Sequence, residues 1–204
     1  MCSSDLLGID YPKLKAVNPR IICCSISGYG SDGPWSRVGA YDITVQALSG
    51  VMSITGSGEP GSEPARWGVP IGDIAGALYG FIGVMAAIEE RNRTGIGQNV
   101  DVALLDVQLA LNCYRVPQVF GTNIEFAPAS PRKGGAGTVP YGPFRCGDGK
   151  WVSIAPSSNF WTAFCGVIGR PELATDPRFA SIGDRQKNQA ALEDRKSTRL
   201  NSSH

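Results

Sequence analysis

The sequence predicts an α/β fold, and three stretches carry that prediction. Residues 20–27 are an apolar run bounded by turn signals, as expected of a central strand buried on both faces. Behind Gly72-Asp73, the residues Ile74, Leu78, Phe81, Ile82, Met85 and Ile88 recur at helical spacing. Residues 99–104 then alternate as a second strand. Strand, long helix, strand is the order of a parallel βαβ arrangement.

Taken in order, residues 11–17 read as a short helix that ends at Asn18-Pro19, because the residue before a proline is pushed out of the helical region. After the first strand, Gly28-Tyr29-Gly30-Ser31-Asp32-Gly33-Pro34 is a loop at its carboxyl end, the edge at which open α/β sheets bind ligands. Residues 42–48 form a short helix with Asp42 as its cap, and residues 51–56 a short extended piece. Residues 57–65 are a Gly/Pro/Glu surface loop. Asp73 is the expected N-cap of the long helix, since its side chain accepts hydrogen bonds from the first free backbone N–H groups and the helix dipole favours negative charge there. Gly76, Gly80 and Gly83 let another backbone come close. Glu89-Glu90-Arg91 marks the solvent end, and Thr94-Gly95 is a stop signal.

Residues 105–114 follow the second strand as a helix. Residues 117–140 are rich in Pro, Gly, Ser and Ala, which makes them an interdomain linker or a long functional loop. Residues 141–146 and 150–155 flank Gly147-Asp148-Gly149, a hairpin signal. Phe160, Trp161, Phe164, Val167 and Ile168 make an amphipathic helix ending at Gly169, and Asp176-Pro177-Arg178-Phe179 opens another helical segment to residue 193.

The two ends read differently. Residues 194–204 resemble, residue for residue, a reading frame through a common short-read sequencing adapter, and residues 1–6 resemble the end of the complementary adapter. A polar tail at each end is the other reading. The whole chain carries 19 Lys+Arg and 18 Asp+Glu. Setting aside Arg195, Lys196, Arg199, Asp5 and Asp194 leaves 16 of each, a neutral balance without the basic excess that nucleic-acid binding needs. The single histidine, His204, lies in the suspect tail. The charge-free run from Asp73 to Glu89 is shorter than the ~20 apolar residues of a membrane span, so a buried helix and no membrane are expected. Cys23, Cys24, Cys113, Cys146 and Cys165 form no C-x-x-C pair. They read as buried thiols of a cytoplasmic protein rather than a zinc site or a disulfide framework.

Taken singly, the motifs are bland. Ser27-Gly28-Tyr29-Gly30 lacks the spacing of a nucleotide fingerprint and reads as a strand-to-loop turn. Gly134-Gly135-Ala136-Gly137 reads as a flexible linker, Asp101 as a surface strand residue and Asp106 as a helix cap. Without a histidine, Ser-His-Asp and Cys-His chemistry are removed. Asp73 is then either a structural cap or the nucleophile of carboxylate chemistry.

Their order is more specific than any one of them. Ser27-Gly28-Tyr29-Gly30, then Tyr41-Asp42-Ile43 and Ala47-Leu48-Ser49-Gly50, then Gly72-Asp73, then Arg93-Thr94-Gly95-Ile96-Gly97-Gln98-Asn99-Val100-Asp101-Val102 resembles the class III CoA-transferase family, of the formyl-CoA transferase and carnitine CoA-transferase type. Gly142-Pro143-Phe144, Gly147-Asp148-Gly149-Lys150-Trp151-Val152 and Asp176-Pro177-Arg178-Phe179 are similar to it as well. The resemblance covers residues 7–193 and implies an internal piece of a longer chain. It implies a partial Rossmann-like large domain at 7–114, a linker and glycine loop at 115–140, and the start of a smaller α+β domain at 141–193. Two full-length chains would interlock as a homodimer.

The resemblance places the catalytic aspartate on Asp73. It places a loop lining the coenzyme A site on Ser27, Gly28, Tyr29 and Gly30, and a glycine loop covering the acyl group on Gly134, Gly135 and Gly137, where Ala136 departs from the family pattern. It implies an acyl-CoA donor and a carboxylic acid acceptor as substrates, an aspartyl-CoA thioester intermediate, and neither a metal nor a permanently bound cofactor. An acyl-CoA racemase of the same superfamily is the near alternative. Those enzymes place a proton-moving histidine where this chain has Tyr41, and a tyrosine is a poor proton carrier at neutral pH. An inactive truncated piece is the third reading, since unpaired sheet edges and uncovered apolar helix faces predict poor folding alone.

Overall fold

The computed structural model describes residues 7–57, 61–122 and 138–192. These divide into two compact units, the first of residues 7–55 and 64–122, the second of residues 56–57, 61–63 and 138–192.

The first unit opens with helix α1 (Tyr11–Val17), capped by Asp10, whose Oδ1 accepts from the Lys13 amide at 3.0 Å. Strand β1 (Cys23–Ser27), helix α2 (Asp42–Leu48), a 3-10 turn (Val51–Ser53) and helix α3 (Ile71–Thr94) follow. Strand β2 (Asn99–Ala103) and helices α4 (Leu104–Leu111) and α5 (Arg115–Thr122) complete it. β1 and β2 pair in parallel, with Cys24 opposite Val100 and Ile26 opposite Val102. Parallel neighbours need a crossover connection, and α2 and α3 lie on it.

Helix α3 meets the strands with its small residues. A Cβ on Gly76 would fall 2.4 Å from Leu104 Cδ2, on Gly83 2.5 Å from Val100 Cγ1, and on Gly80 3.2 Å from Ile26 Cδ1. Read along the helix, these contacts run from the start of β2 to the start of α4 as residue number falls. α3 is therefore antiparallel to both strands, and its first turn lies beyond their carboxyl ends.

That packing corrects two expectations. The stripe of large apolar residues does not face the strands: Gly72, Ala75, Gly76, Gly80 and Ala87 are buried, while Ile74, Leu78, Phe81, Ile82 and Met85 are exposed, Phe81 by 65%. Close approach requires the small side of the helix, which turns the large side outward. Nor is β1 buried on both faces, since Ile26 is 48% exposed and, among the described residues, β1 pairs with β2 alone. The strand also starts at Cys23 rather than residue 20, because the preceding segment folds over Gly97. The Gly97 amide donates to Pro19 O at 2.8 Å, and a Cβ there would lie 1.9 Å from Ile21 O. By length and composition α3 would also span a membrane. Its glycine face carries side chains of β1, β2 and the start of α4, while its large apolar residues are exposed.

Three shorter expectations also change. Residues 51–56 turn rather than extend: Gly50 sits at φ +80°, and the Ile54 amide and Thr55 Oγ1 both donate to Val51 O. The helix after β2 stops at Leu111, where Asn112 is buried and its Nδ2 donates to Ser49 O. The segment from 117, expected to be linker, is helical to Thr122, with Pro117 tolerated in the first turn.

In the second unit β3 (Gly142–Arg145) and β4 (Trp151–Ile154) form the antiparallel hairpin expected around Gly147-Asp148-Gly149. Gly149 takes φ +86°, and Asp148 Oδ1 accepts from the Lys150 amide at 3.1 Å. Helix α6 (Trp161–Val167) ends ahead of Gly169 as expected. Asp176 caps a 3-10 turn (Pro177–Phe179), and its hydrogen bonds from the Arg178 guanidinium and amide hold its carboxyl below the usual range. The last helical segment is broken at Asn188 into α7 (Ile182–Lys187) and α8 (Gln189–Leu192). Trp161, Cys165, Leu173, Phe179 and Leu192 form the core. The buried Arg185 guanidinium stacks over the Trp161 ring at 4.4 Å.

The exposed face of α3 generates a prediction. Residues 7–193 expressed alone are expected to bind a hydrophobic dye and to elute as oligomers, because a contiguous apolar patch drives association. A monomer that unfolds cooperatively and binds no dye would contradict it.

Candidate active site

Asp73 sits in the first turn of α3, at the carboxyl edge of β1 and β2, and is exposed. It is not the N-cap. The helix begins at Ile71, Pro70 holds the cap position, and Pro70 has no side chain to cap with. A proline just ahead of a helix supplies a preset φ and no orphan N–H.

The capping acceptor comes from another helix. Asp42 Oδ1 accepts from the Gly72 amide at 2.7 Å. Asp42 was expected to cap its own helix, but Tyr41 occupies that position without a side-chain cap bond. Asp42 stands one residue inside α2, facing α3. A capping carboxylate contributes about 1 kcal/mol to the helix it serves.

Two further donors of this turn are accounted for. The Ile71 amide donates to Val69 O at 2.8 Å and the Ile74 amide to Pro70 O at 3.1 Å. The Asp73 N–H and its carboxylate have no partner among the described residues. Asp73 thus presents an unengaged carboxylate at the positive end of a 24-residue helix.

A buried polar layer supports Asp42. Gln46 is fully buried; its Nε2 donates to Asp42 Oδ2 at 2.6 Å and its Oε1 accepts from the Trp67 amide at 2.8 Å. Gln108, also fully buried, accepts from Ser49 Oγ at 3.1 Å. A Cβ on Gly72 would lie 2.5 Å from Gln108 Nε2 and 2.8 Å from Asp42 Oδ1. Any larger residue ahead of Asp73 would therefore displace the two side-chain ends that cradle it.

The Ser27-Gly28-Tyr29-Gly30 turn lies at the same edge. Ser27 Oγ accepts from the Gly30 amide at 3.0 Å, and Gly30 has φ +88°. A Cβ on Gly28 would fall 2.4 Å from Ala40 Cβ, and Gly28 O accepts from the Leu105 amide at 3.0 Å. Tyr29 packs edge-on against Trp35 at 5.1 Å. Asp101, expected as a plain surface residue, anchors the loop: its Oδ2 accepts from the Ser31 amide at 2.8 Å and from Ser31 Oγ. Asp106 is not the cap of α4, since Ala103 holds that position. Gly134, Gly135 and Gly137 lie outside the described residues.

A cavity of about 460 Å³ opens at the opposite end of the layer, against Arg20, Ile22, Cys24, Val84, Ile88 and Arg91. Asp73 is not in its lining. The carboxyl edge is the better candidate, because there an open carboxylate, a helix N-terminus and a glycine loop coincide.

Sequence reasoning missed Asp42, Gln46 and Gln108 as a set. Asp42 and Gln46 are four apart, on one face of a short helix, and Gln108 is an uncharged polar residue between the apolar Val107 and Leu109. That pattern signals a buried polar contact without naming its partner.

Comparison with known proteins gives the following. A family model described as CoA-transferase family III matches residues 3–203. The chain is 37% identical over 195 residues to the acetyl-CoA:oxalate CoA-transferase of Acetobacter aceti, covering 93% of this chain and 48% of that one. It is 34% identical over 193 residues to the formyl-CoA:oxalate CoA-transferase of Streptomyces avermitilis, covering 87% and 46%. Among solved structures, a CAIB/BAIF family protein from Brucella suis superposes with a TM-score of 0.77 at 33% identity, over 98% of this chain and 52% of that one. Rv3272 from Mycobacterium tuberculosis superposes with a TM-score of 0.81 at 27% identity, over 99% and 52%. The chain spans about half the length of the curated relatives it matches.

The tightness of the Gly72 cradle is testable. Gly72→Ala in the full-length protein is expected to cost about 1–3 kcal/mol in urea unfolding, as overpacking does. Unchanged stability would show that Gln108 and Asp42 give way freely.

Proposed function

The chain belongs to CoA-transferase family III, and on that premise we propose that it is the part of an enzyme that moves coenzyme A from an acyl-CoA donor to a carboxylic acid acceptor, with Asp73 as nucleophile. The observation that carries the reading is the unengaged Asp73 carboxylate at the carboxyl edge, left open because Asp42 takes the capping role.

The steps balance without a base. An Asp73 oxygen attacks the thioester carbonyl of the donor. An aspartyl acyl anhydride forms and the thiolate of coenzyme A leaves. The thiolate attacks the Asp73 carbonyl, which releases the donor acid with one former Asp73 oxygen and leaves an aspartyl-CoA thioester. The acceptor carboxylate attacks that thioester and again expels the thiolate. The thiolate then attacks the acceptor carbonyl of the second anhydride, giving the new acyl-CoA and free Asp73. Covalent catalysis divides one hard step into easier ones.

No proton moves at any step, which suits the absence of histidine from the described residues. Backbone N–H groups at the helix start would stabilise the oxyanions, and the segment holding Gly134, Gly135 and Gly137 would keep water from the anhydride. Ser27, Gly28, Tyr29 and Gly30 are proposed to line the coenzyme A site. The whole enzyme is proposed to be an interlocked homodimer of the cytoplasm. A racemase reading is weaker, because Tyr41 stands where the racemases place their histidine.

The test uses the full-length protein. Incubation with acyl-CoA followed by a hydroxylamine quench should yield one modified residue, Asp73, by peptide mass spectrometry. Asp73→Ala should lose at least about a thousandfold in kcat, as nucleophile removal does elsewhere. Modification at another residue, or an active Asp73→Ala, would overturn the assignment.

A further inference from the structure

We infer that Asp42 is a positioning residue for the Asp73 nucleophile, an inference that rests on the proposed role of Asp73. The first turn of α3 is held from outside itself. Asp42 Oδ1 takes the Gly72 N–H, the amide immediately before Asp73. Were that donor left open, it would compete for the neighbouring Asp73 carboxylate, because an orphan N–H at a helix start seeks an acceptor. Asp42 removes that competitor, so of the amides at 71–74 only that of Asp73 itself lacks an acceptor among the described residues.

The aim of Asp42 is set in turn. Its second oxygen accepts from Gln46 Nε2, and Gln46 cannot flip its amide, because Oε1 is committed to the Trp67 N–H. Trp67 and Gly72 bracket the segment that enters α3. One hydrogen-bonded path, from Trp67 through Gln46 and Asp42 to Gly72, therefore fixes both ends of the approach to Asp73. Asp42 Oδ1 and Gln108 Nε2 also lie 2.8 and 2.5 Å from where a Cβ of Gly72 would be, so both side chains close over the space beside it. A shift of about 1 Å in a reacting group can cost about a hundredfold in rate.

Directionality of the path supplies the test, in the full-length enzyme. Asp42→Asn sets one amide donor against another, either at Gln46 or at Gly72. The double variant Asp42→Asn with Gln46→Glu reverses the polarity of the central bond: the new amide donates to the new carboxylate, while the Gly72 and Trp67 amides keep their acceptors. Asp42→Asn is expected to lower kcat, and the rate of hydroxylamine-trapped Asp73 adduct, by about 10–100-fold, with KM for acyl-CoA within about twofold. The double variant is expected to recover most of that loss.

Wild-type kcat in Asp42→Asn, a loss confined to KM, or a double variant no faster than the single would overturn the positioning role. Should Asp42→Asn fail to fold, recovery in the double variant still decides. Asp73→Ala assayed alongside separates the two claims. If it stays active, the nucleophile assignment falls. If it is inactive while Asp42→Asn keeps wild-type kcat, only the role of Asp42 falls.

Discussion

The contact between the glycine face of α3 and the two parallel strands is the constraint on which the first unit depends. Gly76, Gly80 and Gly83 bring the helix axis close enough for Leu104, Ile26, Cys24 and Val100 side chains to sit against its backbone. Any Cβ at Gly76 or Gly83 would have to displace a branched side chain at under 3 Å. The direction of the helix follows from that contact, and so does the location of its first turn. Because α3 runs antiparallel to β1 and β2, its N-terminal end and the Ser27-Gly28-Tyr29-Gly30 turn are delivered to one edge. The large apolar residues of α3 are turned outward by the same geometry.

Much of this was legible in the sequence. The helices at 11–17 and 42–48, the end of α3 at Gly95, the Asp148-Gly149 hairpin and the Gly169 stop were readable because each depends on a few neighbouring residues. The order of strand, helix and strand was readable for the same reason. Burial was less so. The stripe from Ile74 to Ile88 has the spacing of a core face, yet the packed face is the one made of Gly and Ala. Periodicity identifies a helix; which face packs depends on how closely its neighbour approaches.

The caps failed in an instructive way. Asp73 and Asp42 are both good capping residues, and local sequence assigns each to the nearest helix start. With Pro70 at the cap, α3 begins three residues earlier than that assignment allows, and Asp42 reaches across to serve it. Local propensity names a residue able to cap; only the tertiary arrangement decides which helix receives it. The exchange bears on chemistry. A carboxylate that caps its own helix is occupied, whereas one whose helix is capped by another residue is open to react. On the proposed reading, Asp42 and Asp73 divide structural and chemical roles that the sequence alone assigns to one side chain.

The central claim is that the Asp73 carboxylate itself is the shuttle. It is tested most directly by a single turnover of the full-length enzyme with an acceptor acid labelled in its carboxylate with heavy oxygen. If the acceptor passes through an anhydride with Asp73, one heavy oxygen remains on Asp73 at the end, read as a mass shift of the peptide that carries it. Full turnover with an unlabelled Asp73 would contradict the account.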